Sequence, residues 1–221
     1  MYDLAIIIGI TAPLLVVTYI VLSDRFREPL PDVLQVFFIG VFLSIPIGIA
    51  NGYFIWSQDD PYLYSFLAGF TEEPIKFLAL YLFVRPKKSF NEPMDAIVYG
   101  TLISLGFATE ENINYILYFG DNPLGLALLR AFTAIPLHAL CGIIMGYYFG
   151  KYAFSGNKSF LAKALFIPVI IHATYNFLAT FSGLLILLGF VISIFFYAKR
   201  LHLDLKQDQL SKVKEEETKA I

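Results

Sequence analysis

Charged residues are scarce in this sequence. Only 15% of the 221 residues are Asp, Glu, Lys or Arg, whereas 57% are hydrophobic and 17% are aromatic. A soluble domain carries about 25% charged residues and roughly 45–50% apolar ones. The apolar excess lies in long continuous runs, which is typical of a membrane protein. These runs leave no room for a separate soluble domain, so any chemistry must take place inside a helical bundle.

Cysteine and several common motifs are also missing. The single cysteine, Cys141, lies inside an apolar run, which excludes a disulfide framework and a cysteine metal cluster. The sequence has no Gly-rich phosphate loop and no His-Glu-x-x-His zinc motif. It has no basic patch interleaved with aromatics, so nucleic acid is not an expected partner. Because no basic segment precedes the first apolar run, we expect that run to be a retained span rather than a removed signal peptide.

The apolar runs predict an all-α, polytopic transmembrane bundle of about seven helices, within a range of six to eight. The predicted spans are 4–22, 33–55, 62–84, 96–118, 124–150, 160–178 and 181–198. The strict alternation of a β-barrel and the periodicity of a solenoid are both absent. We therefore predict one integral membrane domain over 1–198 and a charged cytoplasmic tail over 199–221. The tail is expected to extend the last helix and fray into solvent, with His202 at the surface.

Basic residues occupy alternate loops. Loops 23–32, 85–95 and 151–163 hold two, three and three of them, and the tail from Lys199 holds six, which makes 14 of the 16. The other three connections contain no basic residue, although two of them carry aspartates. Because cytoplasmic loops are enriched in Lys and Arg, this pattern predicts an N-terminus outside and a C-terminus in the cytoplasm.

The two remaining basic residues, Lys76 and Arg130, fall inside predicted spans. The predicted spans also contain Glu72, Glu73, Glu110, Glu111, His138, His172 and Asn176. An ionisable group at membrane depth costs roughly 2.5–3.5 kcal/mol, so these groups are expected to face one another across an interior cavity. Helical rise places them near the midplane, in the outer half of the bilayer. Lys76 and Arg130 are expected to act as counter-ions.

Two chemistries suit this set of side chains. Two histidines and a carboxylate match a catalytic zinc site with an open position for water. In that version His138, His172 and Glu111 are the ligands, and Glu72 is the base with Glu73 assisting. In a version without metal, a desolvated glutamate activates water, and Asn176 or a histidine stabilises the oxyanion. Both versions predict hydrolysis, most simply of a peptide bond near the membrane.

The same buried groups could instead form a relay in a transporter or a proton-coupled channel. Inverted repeats would favour that alternative, and the sequence shows none. A retinal protein is excluded because the last predicted span, 181–198, has no lysine for a Schiff base.

Four stretches of the chain resemble the PrsW family of bacterial intramembrane proteases. The stretches are Glu72-Glu73-Pro74-Ile75-Lys76, Gly106-Phe107-Ala108-Thr109-Glu110-Glu111-Asn112, His138, and His172-Ala173-Thr174-Tyr175-Asn176. The resemblance extends in order over nearly the whole chain. It is shared with the wider group of CAAX prenyl proteases and their bacterial immunity relatives. That group has a Phe-x-x-x-His motif where this sequence has Phe107 and Glu111, so its metal ligation does not transfer directly.

The resemblance implies a function, a location and a set of site residues. A PrsW-like protease in the bacterial cell membrane makes the first, extracytoplasmic (site-1) cut in a membrane-bound anti-sigma factor. Later proteases complete the degradation, and a sigma factor is freed for the envelope-stress response. The residues implied as catalytic are Glu72, Glu73, Glu111, His138, His172 and Asn176. The residues implied as supporting are Lys76, Phe107, Glu110, Asn112 and Arg130. Zinc is the expected cofactor if the enzyme uses a metal.

Overall fold

The computed structural model describes residues 2–119 and 121–219, and within these ranges it is helical throughout, with short connections. The helices are α1 (Tyr2–Ser23), α2 (Leu30–Phe42), α3 (Ser44–Asn51), α4 (Ala68–Ala79), α5 (Pro93–Tyr118), α6 (Pro123–Phe132), α7 (Ala134–Ser155), α8 (Lys158–Phe181) and α9 (Leu184–Lys219). A π-helical turn, Gly52–Trp56, continues α3. A 3₁₀ turn, Pro61–Leu67, leads into α4, and a second π-helical turn, Leu80–Val84, follows it.

The all-α membrane fold predicted from the sequence is confirmed. In the described ranges, five helical stretches are long and apolar enough to cross a membrane: Tyr2–Ser23, Leu30–Trp56, Pro123–Ser155, Lys158–Phe181 and Leu184–Ser211. Residues 61–84 and α5 are also helical where spans were predicted, but they carry the buried acids. The number of spans, the orientation and the boundary at residue 198 stay predictions.

The predicted span 124–150 is interrupted at Thr133. The backbone of Thr133 leaves the helical region, with φ −125° and ψ −68°, and separates α6 from α7. Pro136 lies in the first turn of α7, where its missing N–H costs no helical hydrogen bond. The break separates Arg130, on α6, from His138, on α7. Their relative placement therefore depends on two helices, and the spacing of one continuous helix does not give it.

Helix α5 lies at the centre of the bundle and packs closely against α7. A Cβ atom added to Gly146 would lie 2.1 Å from the carbonyl oxygen of Ala96, and one added to Gly142 would lie 2.8 Å from that of Gly100. Small residues of this kind let membrane helices approach until their backbones touch. The close approach fixes α5, with its two glutamates, relative to the histidine on α7.

The α1–α2 loop is tied to the N-terminus of α5 by buried acids. Tyr99 donates a hydrogen bond of 2.5 Å to Glu28 Oε2. Burial raises the pKa of Glu28 and of Asp24 above the usual range for carboxyl groups. At α5 itself, the side chain of Glu92 and that of Asp95 form a reciprocal capping box. These contacts hold the end of α5 that lies away from the predicted site.

The C-terminal part of α9 packs against this same end of the bundle. Leu205 and Gln209 are buried, and Gln209 Nε2 donates a 2.8 Å hydrogen bond to Asp24 Oδ1. His202 is also buried, with Nε2 at 3.0 Å from Ser23 Oγ. The expectation of a surface histidine was therefore wrong, as was that of a tail frayed into solvent over this stretch. The apolar stripe of the tail accounts for the difference because it continues the packing surface of α9. The last two residues of the chain lie outside the described residues.

Candidate active site

The polar residues predicted to meet inside the membrane do meet. Helix α4 contributes Glu72, Glu73 and Lys76, α7 contributes His138, and α8 contributes His172. Each of these five residues is at most 2% exposed. Buried charges of this number are tolerated only when they pair with one another.

The ammonium group of Lys76 lies at the centre of the cluster. Its Nζ atom is 3.1 Å from Glu72 Oε2 and 2.9 Å from Glu73 Oε1. The same Nζ atom is 3.2 Å from His138 Nδ1 and 4.2 Å from the centre of the Phe107 ring. Lys76 therefore balances the charge of the adjacent acids, as expected of a counter-ion.

The two histidines approach the cluster from α7 and α8. His172 Nδ1 is 2.8 Å from Glu73 Oε1 and 3.8 Å from Glu72 Oε2. The rings of His138 and His172 lie edge to face, with their centres 5.0 Å apart. Phe107 packs edge to face against the His138 ring at 5.6 Å. The Phe107 ring thus covers one side of the cluster and restricts the orientation of His138.

Glu111 contacts the cluster through the other nitrogen of His138. Its Oε2 atom is 3.0 Å from His138 Nε2 and 2.6 Å from Arg130 Nη2. Arg130 Nε also donates a 2.6 Å hydrogen bond to Asn112 Oδ1. Asn112 in turn donates to the carbonyl oxygen of Gly9 on α1 at 3.3 Å. A chain of hydrogen bonds therefore fixes Glu111, and through it His138, from two other helices, α6 and α1.

The remaining predicted residues border the site without entering its centre. Glu110 accepts a 2.6 Å hydrogen bond from Asn114 one turn along α5. Asn176 is half-buried on α8 and lines the cavity that adjoins the cluster. Of the two adjacent glutamates on α5, Glu111 is the one that contacts a histidine.

Two further residues belong to the site and were not identified from the sequence. Asn51, at the end of α3, donates a 3.3 Å hydrogen bond from Nδ2 to Glu72 Oε1. The hydroxyl of Thr71 donates to Asn51 Oδ1. The only signal in the sequence was an amide inside the predicted span 33–55. One polar residue in an apolar run does not reveal which other helix it faces.

A cavity of about 390 Å³ leads away from this cluster. Glu72, Glu111, His138 and His172 line one part of it, and Arg130 lies beside them. Its other walls include Trp56, Pro61, Tyr62 and Phe119, which lie at or beside connections that carry no basic residue. Trp56 and Phe119 stack at this end, with ring centres 4.9 Å apart. The cavity therefore extends from the buried acids toward the end of the bundle that is predicted to be extracytoplasmic.

Four residues of the cluster could hold a metal ion. Ligand atoms from Glu72, Glu73, His138 and His172 all lie within 4.8 Å of one another. In addition, Glu73 Oε2 is buried and has no hydrogen-bond partner among the described residues. Two imidazoles with carboxylates suit zinc, and an unpaired carboxylate oxygen is an available ligand atom. The predicted third ligand, Glu111, lies outside this group because its carboxylate faces Arg130 and the opposite nitrogen of His138.

Comparison with known proteins extends the resemblance beyond these motifs. Residues 28–199 match the family described as PrsW family intramembrane metalloprotease. The chain is 38% identical to Protease PrsW of Bacillus subtilis (strain 168) over 181 residues, 78% of this chain and 81% of the relative. It is 36% identical to Protease PrsW of Clostridioides difficile (strain 630) over 172 residues, 71% of each chain. The protein of that name from Oceanobacillus iheyensis is 35% identical over 198 residues, 86% of this chain and 90% of the relative. No solved structure matches the chain.

Proposed function

Because the chain belongs to the PrsW family of intramembrane proteases, we propose that its buried Glu/His cluster is the active site that cuts a membrane-bound anti-sigma factor. Membership in the family confirms the predicted resemblance, the activity of a membrane-embedded protease and the location as a multi-pass protein of the bacterial membrane. The transporter alternative is set aside for the same reason.

The cavity is the observation that carries this proposal. It gives a peptide a route to Glu72, His138 and His172 from the end of the bundle that lacks basic loops. A volume of about 390 Å³ is within the range of small-molecule sites and has room for a few residues of an extended chain. A segment just outside the substrate's own membrane span would reach this route, which supports a first cut on the extracytoplasmic side.

We assign the activation of water to Glu72. It faces the cavity, whereas Glu73 is fully buried behind it and bonds His172. Glu73, His138 and His172 would hold a zinc ion, which is the set of two histidines and one glutamate found in many catalytic zinc sites. Zinc bound there would polarise the scissile carbonyl and acidify a water molecule. Glu72 would take the proton of that water and pass it to the leaving amine.

The neighbouring residues keep these groups in position. Glu111 accepts from His138 Nε2, which leaves Nδ1 directed at the cluster, and Arg130 neutralises the Glu111 carboxylate. A carboxylate at the second nitrogen of a histidine ligand is a common device for fixing the ring. Asn176, on the cavity wall, would donate to the oxyanion of the tetrahedral intermediate.

The anti-sigma factor is proposed as substrate on the basis of the family resemblance and the position of the cavity. Co-expression with a single-pass anti-sigma factor tagged at both ends tests it. We expect the outer tag to be released, with a cut between that tag and the membrane span. An intact substrate, or a cut on the cytoplasmic side of its span, would contradict the proposal.

The metal assignment predicts zinc in the purified protein. Elemental analysis should give about one zinc per chain, and His172→Ala should lower this content because it removes one of the three ligands. A strong chelator should remove both the metal and the activity, and added zinc should restore them. Full activity in protein shown to contain no metal would contradict a zinc enzyme and favour water activation by glutamate alone.

A further inference from the structure

The carboxylate of Glu72 is held by groups from two different helices. Lys76, on the same helix, lies 3.1 Å from Oε2. Asn51, on α3, donates to Oε1 at 3.3 Å. A carboxylate held at both oxygens loses most of its rotational freedom. The direction in which its lone pairs face the cavity is then set by α3 as well as by α4.

The orientation of the Asn51 amide is itself determined. Thr71 Oγ1 lies 3.1 Å from the carbonyl oxygen of Ala68 and also donates to Asn51 Oδ1. An amide oxygen that accepts from Thr71 leaves the amide nitrogen free to face Glu72. The reversed amide would place its oxygen against the Glu72 carboxylate, which can only accept a hydrogen bond when it is ionised. The carboxylate of Glu72 therefore selects the amide nitrogen of Asn51, and the hydroxyl of Thr71 holds the amide oxygen on the other side.

Asn51 also lies on the cavity wall, beside the route that a substrate would take. Helix α3 is a short element of eight residues, separated from α2 at Leu43. The hydrogen bond from Asn51 to Glu72 connects this short helix directly to the site.

We propose that Asn51 is a positioning residue for Glu72 and that Thr71 holds the Asn51 amide in place through its oxygen. This inference depends on the proposed function, in which Glu72 activates the attacking water. The amide holds Glu72 in one rotamer, so that the carboxylate does not have to be ordered during each reaction. Loss of the Asn51 amide or of the Thr71 hydroxyl should reduce the rate of the chemical step and leave substrate binding almost unchanged.

Purified protein in detergent, with a fluorogenic peptide that spans the cut made by the wild type, tests this inference. A hydrogen bond to a charged group is worth about 1.5–3 kcal/mol, and roughly 1.4 kcal/mol corresponds to a tenfold change in rate. We expect Asn51→Ala to lower kcat roughly tenfold or more with KM changed less than about twofold. Thr71→Val should lower kcat in the same direction. Thr71→Ser, which keeps the hydroxyl, should retain wild-type kcat.

Thr109→Val is the matched control. Thr109 is a buried helical threonine whose hydroxyl bonds only a carbonyl of its own helix, that of Leu105 at 2.7 Å, among the described residues. This variant should keep wild-type kcat. If Asn51→Ala does not fold, the comparison of Thr71→Val with Thr71→Ser carries the test.

The possible outcomes separate this inference from the proposed function. Wild-type kcat in folded Asn51→Ala, or equal kcat in Thr71→Val and Thr71→Ser, would overturn the positioning role. The assignment of Glu72 would stand in that case if Glu72→Gln is inactive. Activity retained in Glu72→Gln would instead overturn the proposed function itself.

Discussion

Replacement of Glu72 or Glu73 by Gln, or of His172 by Ala, should reduce cleavage of the co-expressed substrate roughly a thousandfold. Proton transfer by a positioned group contributes about 10²–10⁴-fold to a rate. When several residues act as one catalytic unit, replacing any one of them removes most of this contribution. Glu72 loses its ability to accept a proton when it is changed to Gln, whereas its shape is retained. Immunoblots that follow the released outer fragment measure the effect.

The comparison requires that the variants fold. Removal of one carboxylate leaves the Lys76 ammonium buried with fewer partners, which destabilises a protein by about 3–5 kcal/mol when a buried pair is broken. Each variant is therefore compared by its Tm in detergent and by its amount in the membrane. Glu28→Gln is the control, since it neutralises a buried acid at the opposite end of the bundle. Folded variants of the three site residues with wild-type cleavage would contradict the assignment.

Gly146→Val should strongly destabilise the bundle, although it lies outside the active site. A Cβ atom at this position would lie 2.1 Å from the backbone oxygen of Ala96, so α5 and α7 would have to separate. Overpacking costs about 1–3 kcal/mol, and the upper end applies because a backbone oxygen cannot rotate away. About 3 kcal/mol corresponds to a fall in Tm of roughly 6–12 °C for a chain of this length. Thermal unfolding in detergent measures it.

Gly189→Ala is the control for this substitution. Gly189 lies within α9, and a Cβ atom there would meet nothing within 4 Å among the described atoms. Alanine favours a helix over glycine by about 1 kcal/mol, so the Tm should stay the same or rise. An unchanged Tm in Gly146→Val would show that α5 and α7 can separate at little cost in free energy. The placement of Glu111 against His138 would then lose its support.

Much of the helical framework and of the site could be predicted from the sequence, for physical reasons. Long apolar runs require helices in a bilayer, because every backbone group must be satisfied within the segment. A charge at membrane depth is costly, so Glu72, Glu73 and Lys76 must have polar partners. The two histidines within the predicted spans were the candidates for that role. Four-residue spacing was enough to pair Glu72 with Lys76, which are in fact 3.1 Å apart.

The rest depended on contacts between helices, which spacing along the chain does not encode. Asn51 was missed because its partner lies on another helix. Glu111 was expected to be a metal ligand, whereas its carboxylate lies against the guanidinium of Arg130, which α6 brings there just before the break at Thr133. His202 was expected at the surface because it lies beyond the last predicted span, whereas α9 turns it toward Ser23 on α1.

The rate of peptide cleavage by purified, folded Glu72→Gln, measured beside the wild type, decides whether the cluster of Glu72, Glu73, His138 and His172 is the active site of a membrane protease. We expect one cut by the wild type, identified by mass spectrometry, and a rate lower by roughly a thousandfold in the variant. The same fragment released by folded Glu72→Gln at the wild-type rate would contradict this assignment.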